Sequence, residues 1–180
     1  MRTTNNIASV YNLYVDELFT YGLYLGFEKE IVMDATHDIF CKFASDETFL
    51  RDVSNIKFYL FKSLKNRLYD IHKQNKHHLG LENMDATMLE LPFNINVNVE
   101  EIIIEKEEQS QIKREIEHML NTLTPRQREI IYLRYVHEYD YDQIAELMQI
   151  SVHGCRKLVS KAIITLREKF GILISLLILT

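Results

Sequence analysis

Apolar side chains recur at steps of three and four residues through most of this sequence, and few residues interrupt that pattern. The 180 residues include only five glycines and two prolines, whereas an all-β chain needs such residues at frequent turns. Hydrophobic residues make up 47% of the chain, which is enough to bury a core. The sequence therefore predicts an all-α protein.

Three helices are predicted in the first part of the chain, over residues 7–26, from about Glu28 to Ala44, and from about Ile56 to Asn75. Each has apolar residues at helical spacing, which we expect to face a core. The expected core residues are Val10, Leu13, Tyr14, Leu18, Tyr21 and Leu25, then Ile31, Ala35, Ile39 and Phe43, then Leu60, Leu64, Leu68 and Ile71.

The last part of the chain contains clear helix starts. A helical pattern covers residues 99–121, and Thr124-Pro125 with Gln127 then predicts an N-cap, a first-turn proline and a capping box. Asp140 with Gln143 predicts a second start. Ser151 predicts the N-cap of a final amphipathic helix.

These patterns predict two small helical domains, over residues 1–78 and 99–170, joined by a flexible linker over 79–98. The linker contains Pro92 and lacks a helical period, and one short strand within it stays open as an alternative. The apolar tail, residues 171–180, is too short to span a bilayer. We expect the tail to be a contact surface, packed on the first domain or on a partner protein.

The net charge of −5 is unevenly distributed. Residues 57–78 contain six Lys and Arg against one Asp, and residues 151–170 contain five against one Glu. The stretch between them, residues 82–117, contains ten Asp and Glu against three Lys and Arg. Because nucleic-acid contact depends on local patches within the screening distance, the two basic blocks are candidate DNA-binding surfaces.

A short helix, a tight turn and a longer amphipathic helix predict a helix-turn-helix over the last basic block. Its outward face would present residues that read bases or hold phosphates. The candidate DNA-binding residues are Ser151, His153, Arg156, Lys157, Ser160 and Lys161. The alternative is a helical hairpin whose basic face only meets solvent.

The first basic block interleaves tyrosines with cations along one helix face. Such a face suits single-stranded DNA, because bases stack on rings while cations follow phosphates. The candidate residues are Tyr59, Lys62, Asn66, Arg67, Tyr69 and Lys73, with Lys65 beside the stripe. The alternative is a tyrosine-rich helix that covers its own domain.

Asp34, His37 and Asp38 share one exposed turn of the second helix, which fits a docking patch, a solvated face, an acid–base pair or a metal site. The sequence has no phosphate-binding Gly-rich loop, nucleophile motif or zinc spacing. We therefore expect no cofactor, metal, small-molecule substrate or catalytic activity. The two cysteines, and the lack of a leader or a spanning apolar run, predict a cytoplasmic protein.

Two separate stretches resemble bacterial RNA polymerase sigma factors of the extracytoplasmic-function type. Residues 123–130, 133–135 and 141–151 resemble region four. Residues 34–40 resemble the region-two "D-x-x-Q-E-x-F" signature, and Tyr59-Leu60-Phe61 with Asn66-Arg67 resembles the later region-two helix.

The resemblance implies that Asp34, His37 and Asp38 bind core RNA polymerase. It implies that the later region-two helix and the loop before it open the minus-ten promoter element and hold a flipped-out base. The final helix would enter the major groove of the minus-thirty-five element, and the linker would run toward the RNA-exit path. An anti-sigma factor would hold the protein inactive. The alternative is a helix-turn-helix regulator that binds duplex DNA without polymerase.

Four residues depart from the family pattern. His37 stands where Gln is usual, and Tyr59 stands where Trp is common. Gln149 replaces the turn glycine, which predicts a positive φ at a residue with a side chain. Gly154 lies inside the recognition helix, the predicted final helix that begins at Ser151, where it lowers helix stability by about 0.5–1 kcal/mol relative to Ala.

Overall fold

The computed structural model describes residues 7–45, 55–78, 92–95 and 116–171, with only the backbone at 75–78. The chain divides into two compact units, Met1–Leu89 and Glu90–Thr180. In the described ranges every regular element is a helix, and the all-α prediction is confirmed. None of these helices is long and apolar enough to cross a membrane.

The first unit contains α1 (Ile7–Tyr24), α2 (Lys29–Ser45) and α3 (Ile56–His78). Each helix packs against the other two. The rings of Tyr21 and Phe61 meet at the centre, with centroids 5.0 Å apart. At the surface, Lys57 of α3 forms an ion pair with Glu17 of α1 at 2.7 Å. The core side chains that are fully or almost fully buried include Leu18, Leu25, Val32, Ala35, Leu60, Leu64 and Leu68.

Leu13 was expected in this core, and that prediction is wrong because its side chain is 65% exposed. Val10, Leu18 and Tyr21 define the buried face of α1. Because successive residues turn by 100°, Leu13 lies about 60° outside Val10, on the side away from the other buried residues. The spacing from Val10 to Leu13 is helical, but the buried face of α1 extends from Val10 in the direction opposite to Leu13.

A glycine sets the distance between α1 and α2. A Cβ built on Gly22 would lie 2.5 Å from Cγ1 of Val32. Real Cβ atoms do not approach other atoms this closely, and β-branched Val32 has little rotamer freedom to move aside. Any side chain at this position would therefore force the two helices apart.

The second unit contains α4 (Pro125–Tyr135), α5 (Tyr141–Met148) and α6 (Val152–Phe170), and residues 116–121 are also helical. Both predicted capping boxes are present, at Thr124 with Gln127 and at Asp140 with Gln143. A second apolar cluster joins Leu123 to Ala162 and Leu166 of α6. The predicted structure of residues 79–91, 96–115 and the tail after Gly171 lies outside the described residues.

We predict that Gly22→Ala destabilises the first unit. Alanine favours a helix over glycine by about 1 kcal/mol, but forcing a methyl group into a packed contact costs about 1–3 kcal/mol. Urea unfolding of the full chain measures the difference. The double variant Gly22→Ala with Val32→Ala should lose less unfolding free energy than the sum of the losses in the two single variants, because Val32→Ala removes the clashing methyl groups. Strict additivity would contradict a direct clash.

Candidate nucleic-acid interface

The turn between α5 and α6 is closed by a residue in the left-handed conformation. Gln149 has φ 53° and ψ 46°, as the sequence predicted for the position where the family has glycine. The amide of Ile150 donates to the carbonyl of Ala145 at 3.0 Å, which satisfies the end of α5. The hydroxyl of Ser151 then accepts from the Gly154 amide at 3.0 Å and starts α6. These local contacts produce a helix-turn-helix.

α6 has one buried face and one polar face. The buried face contains Cys155, Val159, Ala162 and Leu166, and it packs on α4 and α5. Burial raises the pKa of the Cys155 thiol, which suits a core position. The candidate DNA-binding side chains His153, Arg156, Lys157, Ser160 and Lys161 are all exposed. Ser151 is exposed as well, but its hydroxyl is occupied by the cap.

A ring shared by two arginines lies beside the recognition helix. The guanidinium carbon of Arg134 lies 5.0 Å from the ring centroid of Tyr141, and that of Arg156 lies 5.6 Å away. Arg134 also donates to the carbonyl of Tyr139 at 2.8 Å. Sequence reasoning named Arg156 but missed Arg134 and Tyr141, because the cluster joins three helices and has no local pattern.

The stripe on α3 is less exposed than the sequence suggested. Asn66 and Lys73 are exposed, whereas Tyr59, Lys62, Arg67 and Tyr69 are half-buried. Lys65 is only 4% exposed, and its ammonium lies 5.8 Å from the ring centroid of Tyr69. Lys65 therefore belongs to the interior of the unit, and the expectation that it adds to the basic surface is wrong.

Asp34, His37 and Asp38 are exposed on α2, as expected. His37 Nε2 lies 3.3 Å from the hydroxyl of Tyr11. Arg67 Nη2 donates to Asp38 Oδ2 at 2.8 Å, with both side chains still about half exposed. The structure thus pairs two residues that the sequence assigned to different partners. In the described ranges no group of His, Cys, Asp and Glu could hold a metal ion.

This ion pair borders a groove of about 330 Å³ between α2 and α3. The groove has aromatic lining, because the rings of Phe43 and Tyr59 line it and meet edge to face at 5.6 Å. Its polar lining side chains are Asp38, Lys42, Ser63, Asn66, Arg67 and Asp70. A groove lined by aromatic rings together with amide, hydroxyl and charged groups can bind a planar polar ring.

Comparison with known proteins gives a sequence match in the second unit and a structural match to the fold. Residues 113–166 match the family described as Sigma-70, region 4. No curated protein matches the sequence. Among solved structures, the sigma factor RpoE of Bartonella quintana, crystallised with the anti-sigma factor NepR, superposes with a TM-score of 0.60 at 19% identity. The match covers 92% of this chain and 96% of that one.

Residues 113–166 therefore carry the region-four pattern of sigma-70 proteins, and the all-helical fold of the chain is similar to that of the sigma factor RpoE.

We predict that Gln149→Gly stabilises the second unit by about 0.5–1 kcal/mol, because the left-handed conformation is unfavourable for a residue with a Cβ. Thermal unfolding of the full chain measures the change. Gln149→Ala is the matched control, since it removes the same side chain but keeps the Cβ, and it should give no gain. Equal stabilisation by both variants would contradict strain at this turn.

We predict that Tyr141→Leu weakens binding to duplex promoter DNA by about 1 kcal/mol, or roughly fivefold, because Arg134 and Arg156 lose the ring that positions them. Fluorescence anisotropy with a labelled duplex measures the affinity. Tyr135→Leu, at a ring that is 52% exposed, is the control and should leave affinity unchanged. Equal losses in both variants would remove the positioning role from Tyr141.

Proposed function

We propose that this chain is a sigma factor of the extracytoplasmic-function type. It binds core RNA polymerase through α2, opens the minus-ten promoter element with α3, and places α6 in the major groove of the minus-thirty-five element. The observation that carries the proposal is the capped helix-turn-helix with its exposed polar face. The protein acts through binding alone and without a catalytic step of its own. It works in the cytoplasm, and an anti-sigma factor restrains it.

The recognition helix supports the second DNA contact. A helix that enters the major groove reads bases near its N-terminal end and holds phosphates with its flanks. Arg156 lies one turn into α6, near its N-terminal end, and an arginine there can read guanine O6 and N7. Lys157, Ser160 and Lys161 follow on the exposed side and suit phosphates.

The groove between α2 and α3 supports the minus-ten contact. Freeing a base from the duplex costs a few kcal/mol, and stacking on an aromatic ring returns about 1–3 kcal/mol per base. Tyr59 provides such a ring on the groove wall, and Asn66 provides an amide. The other stripe residues, Lys62, Arg67, Tyr69 and Lys73, would follow the freed strand.

The exposed carboxylates of α2 support docking on the polymerase. Asp34 faces solvent, and Asp38 is about half exposed although it is paired with Arg67. An exposed ion pair contributes only about 0–1 kcal/mol, so Asp38 can exchange Arg67 for a cation of the polymerase at small cost. His37 presents an imidazole beside both carboxylates and stays within reach of Tyr11.

The alternative is a regulator that binds duplex DNA without polymerase. It would use α4 to α6 in the same way but would leave the groove and the carboxylates of the first unit without a role. Run-off transcription with purified core polymerase and this protein alone distinguishes the two. Promoter-specific transcripts support the sigma factor, and duplex binding without association with core polymerase supports the regulator.

Two double variants test the division of labour. Arg156→Ala with Lys157→Ala should abolish promoter-specific transcription and leave core binding in a pull-down unchanged, because both residues lie on the face of α6 away from the core. Asp34→Ala with Asp38→Ala should weaken core binding and leave binding to the isolated duplex unchanged.

Asp38→Ala also breaks the ion pair with Arg67, so Arg67→Ala is the matched control. It removes the same pair but keeps the carboxylate, and core binding should survive. Loss of core binding in the Arg67 variant would assign the effect to the ion pair and contradict direct docking by Asp38. Loss of core binding in the α6 variant would contradict the assigned role of that helix.

A further inference from the structure

A short segment of the predicted linker packs on the second unit. Phe93 is 1% exposed, so its ring is as buried as any core residue. It lies against Tyr132 of α4, with centroids 5.6 Å apart. Pro92 and Asn94 on either side are exposed, so the segment crosses the surface and inserts one ring. An aromatic side chain is not needed in a connector that only links two units. The full burial of the Phe93 ring therefore indicates a specific packing position on α4.

A buried arginine holds the next residue. Arg128 is 8% exposed, and burial lowers the pKa of its guanidinium. Its Nη1 donates to Oδ1 of Asn94 at 3.0 Å, and its Nη2 donates to the carbonyl of Leu123 at 3.2 Å. The Nε of Arg128 is also buried, and no described residue accepts a hydrogen bond from it. Because removing a charge-assisted bond from a buried cation is costly, Arg128 favours the state in which Asn94 is docked.

We propose that Phe93 and Asn94 form a clip that fastens the linker to α4 and thereby sets the length of chain that joins the two units. The DNA-binding unit then begins at the clip, well before residue 113 where the family match starts. The clip divides the predicted linker, residues 79–98, at residues 92–95. Opening the clip adds at least these four residues to the connection, which is about 13 Å of extended chain.

The functional consequence depends on the proposed function. A sigma factor that holds two promoter elements at once can only use spacings that its connector spans. A clipped connector narrows the range of spacings between the elements, and an open clip widens it. Since one base pair rises by 3.4 Å, the extra length corresponds to several base pairs.

The experiment uses the full chain with Phe93→Ala and, as a milder variant, Asn94→Ala. Asn83→Ala, the same change elsewhere in the linker, is the control. The hydrogen-exchange rate of the α4 amides should increase about tenfold in both clip variants and not in the control, because the segment that packs on α4 is released. Exchange in α1 to α3 should not change. Unchanged exchange in α4 in both clip variants would overturn the proposal.

The second measurement is transcription with core polymerase on promoters whose element spacing varies by single base pairs. The clip variants should use a wider range of spacings than the wild type and the control. A range unchanged in variants whose α4 exchange has increased would overturn the connector role. Absence of transcription by the wild type would instead reject the proposed function, and the exchange measurement would still test the clip.

Sedimentation of the wild-type protein tests whether Phe93 packs on α4 of its own chain or of a second copy. A monomer supports a clip within one chain. A dimer that is lost in Phe93→Ala would overturn the proposal, because the ring would then insert into a second copy of the chain.

Discussion

The packing of α6 on α4 and α5 is the contact on which the proposed DNA-binding surface depends. Cys155, Val159, Ala162 and Leu166 fix the rotation of α6 about its axis. Since each residue turns a helix by 100°, a shift of the buried face by one residue would move Arg156 away from the exposed side. The small side chains of Cys155 and Ala162 are fully buried. The packing of the apolar face of α6 therefore determines which of its polar residues are exposed.

The acidic net charge does not conflict with DNA binding, because the electrostatic attraction is local. Exposed charges are screened beyond about 8–10 Å at physiological salt. The cations of α6 lie on one face of one helix, and the acidic excess lies in a different part of the sequence. The acidic stretch therefore does not prevent the proposed contact between the exposed face of α6 and phosphates.

The features that sequence predicted well are those in which a few consecutive residues determine the structure. The caps at Thr124, Asp140 and Ser151 and the left-handed Gln149 each depend on three or four neighbours, and all are confirmed. The rotation of α1 depends on which face the other helices cover, so Leu13 could not be placed from its own spacing. The identities of the site residues stay predictions, because geometry shows where they lie and not what they bind.

Pairings between distant residues were the part that sequence could not supply. Arg67 with Asp38 and Arg128 with Asn94 are separated by 29 and 34 positions. The residues that flank each arginine in the sequence do not indicate its distant partner. Phe93 belonged to a stretch without helical period, and the predicted linker gave no sign that its ring would be buried.

Three arginines of the second unit show how burial divides one residue type among different tasks. Arg128 is buried on neutral oxygens, and moving it to a phosphate would leave those oxygens unpaired. Arg134 is half-buried, and its guanidinium lies over the Tyr141 ring. Arg156 shares that ring but is exposed, so it can exchange water for a phosphate or a base with little loss. A count of cations along the sequence treats the three arginines alike, whereas their burial differs, and the exposed Arg156 can bind DNA at the smallest cost to the stability of the fold.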